Sequence, residues 1–150
     1  MNPICKRLRR IVALAAAAAA TGCVPYPVIK TLQPATEVRV TDNAGQPLPG
    51  VDVSLIATMY PMHLEHHRET RQTDAQGLVQ FDSRHDLRVE SLMLHGSVEF
   101  YWNLCITQPD YATVETRYGA SHAWPSQFVF ALQPGDPTPC RDTRKMSGQR

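Results

Sequence analysis

Most of the signatures that announce a chemistry are missing from this 150-residue chain. No serine sits in a Gly-x-Ser-x-Gly setting and no His-Glu-x-x-His occurs, so neither of those hydrolase types is indicated. There is no nucleotide-binding glycine loop and no segment with amphipathic helical periodicity. The longest apolar run, Ile11–Ala20, has ten residues. As a helix it would reach only about 15 Å, half of a hydrocarbon core of roughly 30 Å, so it does not read as a membrane span. An excess of one charge is also lacking, with 15 Lys+Arg against 14 Asp+Glu.

What is present begins at the N-terminus. Lys6, Arg7, Arg9 and Arg10 precede the apolar run, and small residues follow it. Positive charge, short apolar run and small residues together make a secretory signal peptide, expected over residues 1–22. It ends in Ala20-Thr21-Gly22-Cys23, which resembles the bacterial lipobox, with Ala20 where that motif usually has Leu. The resemblance implies cleavage before Cys23 and lipidation of its thiol. The alternative is ordinary cleavage after Ala18–Ala20, leaving Cys23 as a plain thiol. Cysteine arithmetic favours the lipid: Cys5 leaves with the leader, Cys23 is acylated, and Cys105 and Cys140 remain as a pair. In lipoproteins of this kind an Asp after the lipid cysteine commonly retains the protein in the inner membrane. Val24 therefore implies the outer membrane, facing the periplasm. Removing four leader cations leaves 11 Lys+Arg against 14 Asp+Glu, a formal charge of −3. That balance does not suit nucleic acid.

Residues 23–35 hold three prolines and show no strand or helix period, so they are expected as a semi-extended tether from the membrane, with a first edge strand at Val28–Leu32 as the alternative. Alternation then starts. Val38 and Val40 alternate with Glu37, Arg39 and Thr41; Val51, Val53 and Leu55 alternate with Asp52 and Ser54. Between them lies Asp42-Asn43-Ala44-Gly45, and the same Asp-x-x-Gly spacing returns at Asp74-Ala75-Gln76-Gly77 before Leu78–Phe81. Asp caps such a turn and Gly accepts positive φ. Further strands are expected near Arg68–Thr73, Leu87–Leu94, Tyr111–Tyr118 and Gln127–Leu132. The strongest signal is Ser97–Thr107, where Val98, Phe100, Trp102 and Leu104 share one face and Glu99, Tyr101 and Asn103 the other. About seven short strands with turns between them predict an all-β, antiparallel, immunoglobulin-like sandwich over residues 36–140, followed by a basic tail at 141–150.

The run Val38-Arg39-Val40-Thr41-Asp42, Gly45-Gln46-Pro47-Leu48-Pro49-Gly50-Val51, Val53-Ser54-Leu55, then Thr73-Asp74, Gly77 and Phe81, resembles the carboxypeptidase regulatory-like domains. The resemblance covers Thr36–Phe81 and implies a transthyretin-like sandwich that serves as a binding or spacer module. Hydroxyisourate hydrolases share the early pattern but carry a His before the first Asp turn, near where Arg39 stands here, and end in Tyr-Arg-Gly-Ser. Here Arg117-Tyr118-Gly119-Ala120-Ser121 scrambles that ending some thirty residues before the C-terminus. Outer-membrane lipoproteins of type VI secretion systems also place such a sandwich behind a lipobox, which adds a secretion-assembly role as an alternative.

Three groups of side chains merit weighing for chemistry. His63, Glu65 and His67 would share one face of a strand, and His63, His66 and His67 one face of a helical turn, so either set could offer imidazoles to zinc or copper. A solvated polar loop is the preferred reading of them, and no cofactor is expected. Cys105 and Cys140, thirty-five positions apart, are expected to form a disulfide in an oxidising compartment, pinning the tail to the core strand. Arg141, Arg144, Lys145 and Arg150 read as a solvated tail. The expectation is a non-enzymatic, lipid-anchored envelope module whose partners are the membrane, through its lipid, and an envelope protein or glycan; the alternative is a periplasmic metal-binding protein or metal-dependent enzyme using the histidines.

Overall fold

Asp42 and Asp74 close two turns of the same construction. Oδ1 of Asp42 accepts hydrogen bonds from the backbone N–H of Ala44 (2.9 Å) and Gln46 (2.8 Å). Oδ1 of Asp74 does the same for Gln76 and Leu78, both at 2.9 Å. Gly45 and Gly77 follow at φ of +81° and +70°, a region that L side chains rarely adopt. Gly77 is needed for closeness as well. A Cβ there would run into the carbonyl oxygen of Val40, whose own N–H donates to the Gly77 carbonyl at 2.8 Å.

The computed structural model describes residues 7, 11–12, 25–60, 63–91, 97–117, 119–120 and 123–141. Its strands are β1 (Pro25–Gln33), β2 (Thr36–Thr41), β3 (Asp52–Tyr60), β4 (Leu64–Gln72), β5 (Leu78–Phe81), β6 (Arg84–Ser91), β7 (Glu99–Thr107), β8 (Val114–Glu115), β9 (Gly119–Ala120) and β10 (Gln127–Ala131). The fold is all-β. The chain divides into two units, one of residues 1–29 and 87–98, the other of residues 30–86 and 99–150.

The second unit is the sandwich. One sheet has the order β10-β2-β5; the other runs β4-β3-β7-β8, with β9 also paired to β7. Between them lies a core that includes Val38 and Val40 of β2, Val53 and Leu55 of β3, Phe81 of β5, and Phe100, Trp102 and Leu104 of β7. The alternation seen in the sequence produces this directly, because residues two apart on a strand face the same way. Trp102 is 1% exposed and donates its indole N–H to the Leu32 carbonyl at 2.7 Å, so its one polar group is satisfied.

Several features depart from the sequence expectations: the expected strand Tyr111–Tyr118 is reduced to Val114–Glu115, and β4 starts at Leu64, so that His66 and His67, expected in a loop, lie in a strand. Residues 25–33 form a strand, pairing with β6 in a two-stranded sheet, where a spacer was expected. Part of the reason is long-range: Gln33 is fully buried, and its Nε2 donates to Glu69 at 2.7 Å and to the Asp82 carbonyl at 3.0 Å. Next, β10 pairs with β2 in parallel, Phe128 opposite Val38 and Phe130 opposite Val40, whereas the other ladders of the sandwich sheets are antiparallel. Last, the face of β7 expected to point to solvent is covered toward the C-terminal end of the strand, with Asn103 at 1% and Cys105 at 0% exposed, while Tyr101 is half-buried and Glu99 exposed as expected. Of the expected strand Leu87–Leu94, β6 includes Leu87–Ser91 and the rest lies outside the described residues.

The first unit holds the segment of β1 up to Ile29 and the segment of β6 from Leu87. Its pattern inverts the usual one. Leu87 and Val89 of β6 are exposed, while Arg88 is half-buried and Glu90 buried.

Candidate functional site

A sheet edge is a row of unpaired backbone groups, and therefore a template for an extended partner. The three-stranded sheet has two edges, β5 and β10. They are finished in opposite ways.

The β5 edge is stopped by side chains. Arg71 of β4 donates through Nη1 to the Gln80 carbonyl at 2.7 Å, and Gln33 reaches the Asp82 carbonyl just beyond the strand. Arg71 is itself held on three sides, by Glu69 (Nε to Oε1, 2.6 Å), by Asp82 (Nη2 to Oδ2, 3.3 Å) and by the Phe81 ring, 5.7 Å from the guanidinium carbon. Glu69 receives Gln33 and Arg71 directly and has Arg84 Nε at 3.6 Å. Burial pushes its carboxyl up, but the hydrogen bonds from Gln33 and Arg71 and the charges of Arg71 and Arg84 outweigh it, so the net direction is down. Arg71 is moved up, chiefly by its hydrogen bond to Glu69 and against its desolvation. A shallow groove of about 380 Å³ lies over this edge, lined by Arg71, Gln72, Asp74, Leu78, Val79 and Gln80. The guanidinium that would give it affinity for an anion is already committed to Glu69.

Among the described residues the β10 edge carries no such stopper. The N–H of Glu37 donates to the Ser126 carbonyl and the N–H of Leu132 to the Thr41 carbonyl, both at 2.8 Å. In a parallel ladder bonding alternates by residue, so the even-numbered residues from 126 to 132 turn their backbone toward β2. Gln127, Val129 and Ala131 turn theirs outward, and all three are exposed, Val129 at 72%. Among the described residues no strand pairs with that side. Beneath the strand runs an aromatic row. Trp102 meets Trp124 at 6.0 Å, Trp124 meets Phe128 at 5.0 Å, and Phe128 stacks on Phe130 at 6.0 Å with planes 6° apart. Trp124 is fixed by its indole N–H, which donates to Thr36 Oγ1 at 2.9 Å. Phe128 and Phe130 remain half-buried at the end of this row, an apolar step beside open backbone groups.

The sequence-predicted residues are distributed as follows. Cys105 and Cys140 are joined, with S–S 2.03 Å and Cα–Cα 6.0 Å. The bond holds a segment that continues past β10: Ala112 N–H donates to the Gln133 carbonyl, Thr138 bonds Thr113, and Arg68 Nη2 donates to the Arg141 carbonyl at 3.1 Å. The histidines do not converge. His63 is an exposed residue at φ +52° whose ring meets Tyr60 edge-on at 5.5 Å. A bulge in the β3–β4 ladder pairs Ala57 with His67 and Thr58 with Glu65, skipping His66. That slip puts Glu65 and His67 on opposite faces, and His66 lies instead on the Phe100 ring at 5.3 Å. Among the described residues no group of three or more His, Cys, Asp or Glu could hold a metal ion. Cys23, residues 142–150 and all of the expected leader except positions 7, 11 and 12 lie outside the described residues.

Sequence reasoning missed the Gln33–Glu69–Arg71 network, whose members are ordinary polar residues with no shared spacing. The only available signal for β10 was the Phe128, Phe130, Leu132 alternation, which marks a strand without saying which neighbour it takes. Set against family models, curated proteins and solved structures, the chain matches none.

Proposed function

We propose that this chain is a lipid-anchored, non-enzymatic module of the bacterial cell envelope, facing the periplasm from the outer membrane, that captures an extended segment of an envelope protein along β10. The observation that carries the docking reading is the contrast between edges. Backbone groups of Gln127, Val129 and Ala131 stand open beside Phe128 and Phe130, while Arg71 and Gln33 close the β5 edge. Main-chain bonds would supply affinity, and alternate apolar side chains of the partner would cover the two phenylalanines. The lipobox-like Ala20–Cys23, the leader before it and the Cys105–Cys140 pair support the envelope location. The twin Asp-x-x-Gly turns and the sandwich support assignment to the transthyretin-like, carboxypeptidase regulatory-like class.

The test is Val129→Pro. It deletes an outward N–H on the free edge and none of those that bond β2, and edge strands tolerate proline. Crosslinked pull-downs from envelope extracts should recover a partner with the wild type and lose it with the variant. Amide exchange at Gln127, Val129 and Ala131 should slow in the complex. A partner retained by Val129→Pro, with these amides unprotected, would remove β10 from the account.

A further inference from the structure

We propose that the β1–β6 ribbon lies with Ile29, Leu87 and Val89 against the surface of the lipid bilayer, as a second, weak attachment beside the anchor. The proposal rests on the reading of Cys23 as the lipidated residue. Ile29, Leu87 and Val89 are 70%, 72% and 73% exposed, and burial alternates along both strands. Alternation puts Pro25, Pro27 and Ile29 of β1 with Leu87 and Val89 of β6 on the open face. On β6 the polar members of the pattern, Arg88 and Glu90, are the sheltered ones. A strand that faced only water would gain by the opposite arrangement, because each apolar side chain left in water forgoes its transfer free energy. The inversion therefore points to an apolar surface over this face.

Two considerations select the bilayer as that surface. Three aliphatic side chains offer on the order of 300 Å², well short of the roughly 800 Å² per partner that a stable protein interface buries. A second copy of the chain, or a diffusing protein, would be held poorly by so little. A tethered surface needs far less, because the effective concentration is set by the tether. Ile29 follows Cys23 by six residues, so the face lies within about 20 Å of the acyl chains even when the link is fully extended. A single weak apolar contact combined with a lipid chain also matches how peripheral attachment is commonly built, from two modest signals.

Flotation on vesicles of equimolar phosphatidylethanolamine and phosphatidylglycerol tests this without the anchor, on the processed chain of residues 23–150 carrying Cys23→Ser, because a full-length variant would keep its cationic apolar leader. The Cys23→Ser chain should float in part, and Ile29→Ser/Leu87→Ser/Val89→Ser added to it should lower the bound fraction at least about tenfold. All three positions are exposed, so circular dichroism should be unchanged; the single Val89→Ser provides a milder check, with an intermediate loss. A Cys23→Ser chain that stays out of the vesicle fraction, or a triple variant that floats equally well, would overturn the proposal. So would concentration-dependent dimerisation of the Cys23→Ser chain that the triple variant abolishes, since it assigns the face to a second copy. The intact mass of the wild type reads the anchor separately. An acylated wild type with a non-floating Cys23→Ser chain sinks the ribbon and leaves the anchor; an unacylated wild type with a floating variant does the reverse.

Discussion

Thr113 and Thr138 exchange two hydrogen bonds: Thr113 Oγ1 donates to the Thr138 carbonyl at 2.6 Å and accepts the Thr138 N–H at 2.9 Å. Two residues later Cys140 is bonded to Cys105 near the C-terminal end of β7. A segment of mostly exposed residues, with prolines at 134, 137 and 139, is thereby seated next to a strand whose Asn103 and Cys105 are buried. Prolines cannot donate to a ladder, so a side-chain bond and a covalent bond replace sheet pairing here.

Cys105→Ala/Cys140→Ala should therefore lower stability by roughly 3–4 kcal/mol, the chain-entropy value for a loop of this length. The separation is 35 residues. Urea unfolding checks it. Thr113→Val should cost about 1 kcal/mol in the oxidised protein, because the disulfide keeps the segment in place when one hydrogen-bonding partner is lost. A double variant no less stable than the wild type would show that the segment is not pinned.

Glu69 gives the sandwich an acid-sensitive element. Its carboxyl titrates below its ordinary value of 4.5 in the folded protein, so the folded state favours the charged form. The contribution is therefore complete above about 4.5 and is lost as pH falls through the lower folded value. Stability followed by urea unfolding from neutral pH into this acid range should decline, and Glu69→Gln should flatten the part of the decline that this group supplies. A decline of equal size in the variant would mean that other carboxylates account for it.

Arg71→Ala should have two effects. It removes a partner from Glu69, which is 15% exposed, at a cost of about 1–2 kcal/mol once the partial exposure of the pair is allowed for. It also uncovers the Gln80 carbonyl. An edge without its stopper invites pairing, so sedimentation should show self-association that the wild type lacks.

Gly77→Ala and Gly45→Ala separate conformational strain from crowding. Both glycines have positive φ, but a Cβ at Gly45 meets nothing within 4 Å, whereas one at Gly77 meets the Val40 carbonyl. The Gly45 variant should cost about 1 kcal/mol for the left-handed backbone alone. Gly77→Ala should cost at least about twice that, read from the shift in denaturation midpoint at constant m-value.

The repeated turns and the principal strands were legible because their causes are local. Asp42 and Asp74 bond amides two and four residues away, and Val38, Val40, Phe100, Trp102 and Leu104 declare their face by alternation. What stayed hidden is non-local. Gln33 is buried because Glu69 and the Asp82 carbonyl receive its amide, partners 36 and 49 positions away. The outward face of β7 was expected to be wet, and no local pattern could reveal that Asn103 and Cys105 are covered. His66 and His67 were misplaced by a one-residue bulge, which reverses a face without leaving a mark in composition. The edges follow the same division: β10 was recognisable as a strand, while its place at the edge follows from a parallel pairing with β2, a partner far away in the chain.

The measurement that tests the account most directly is the intact mass and membrane fractionation of the full-length protein against a Cys23→Ser variant. The account predicts a wild-type mass that lacks residues 1–22 and carries acyl chains, with stable membrane association that falls sharply in the variant. A wild type recovered soluble and unacylated, with Cys23 as a free thiol or in an intermolecular disulfide, would contradict it.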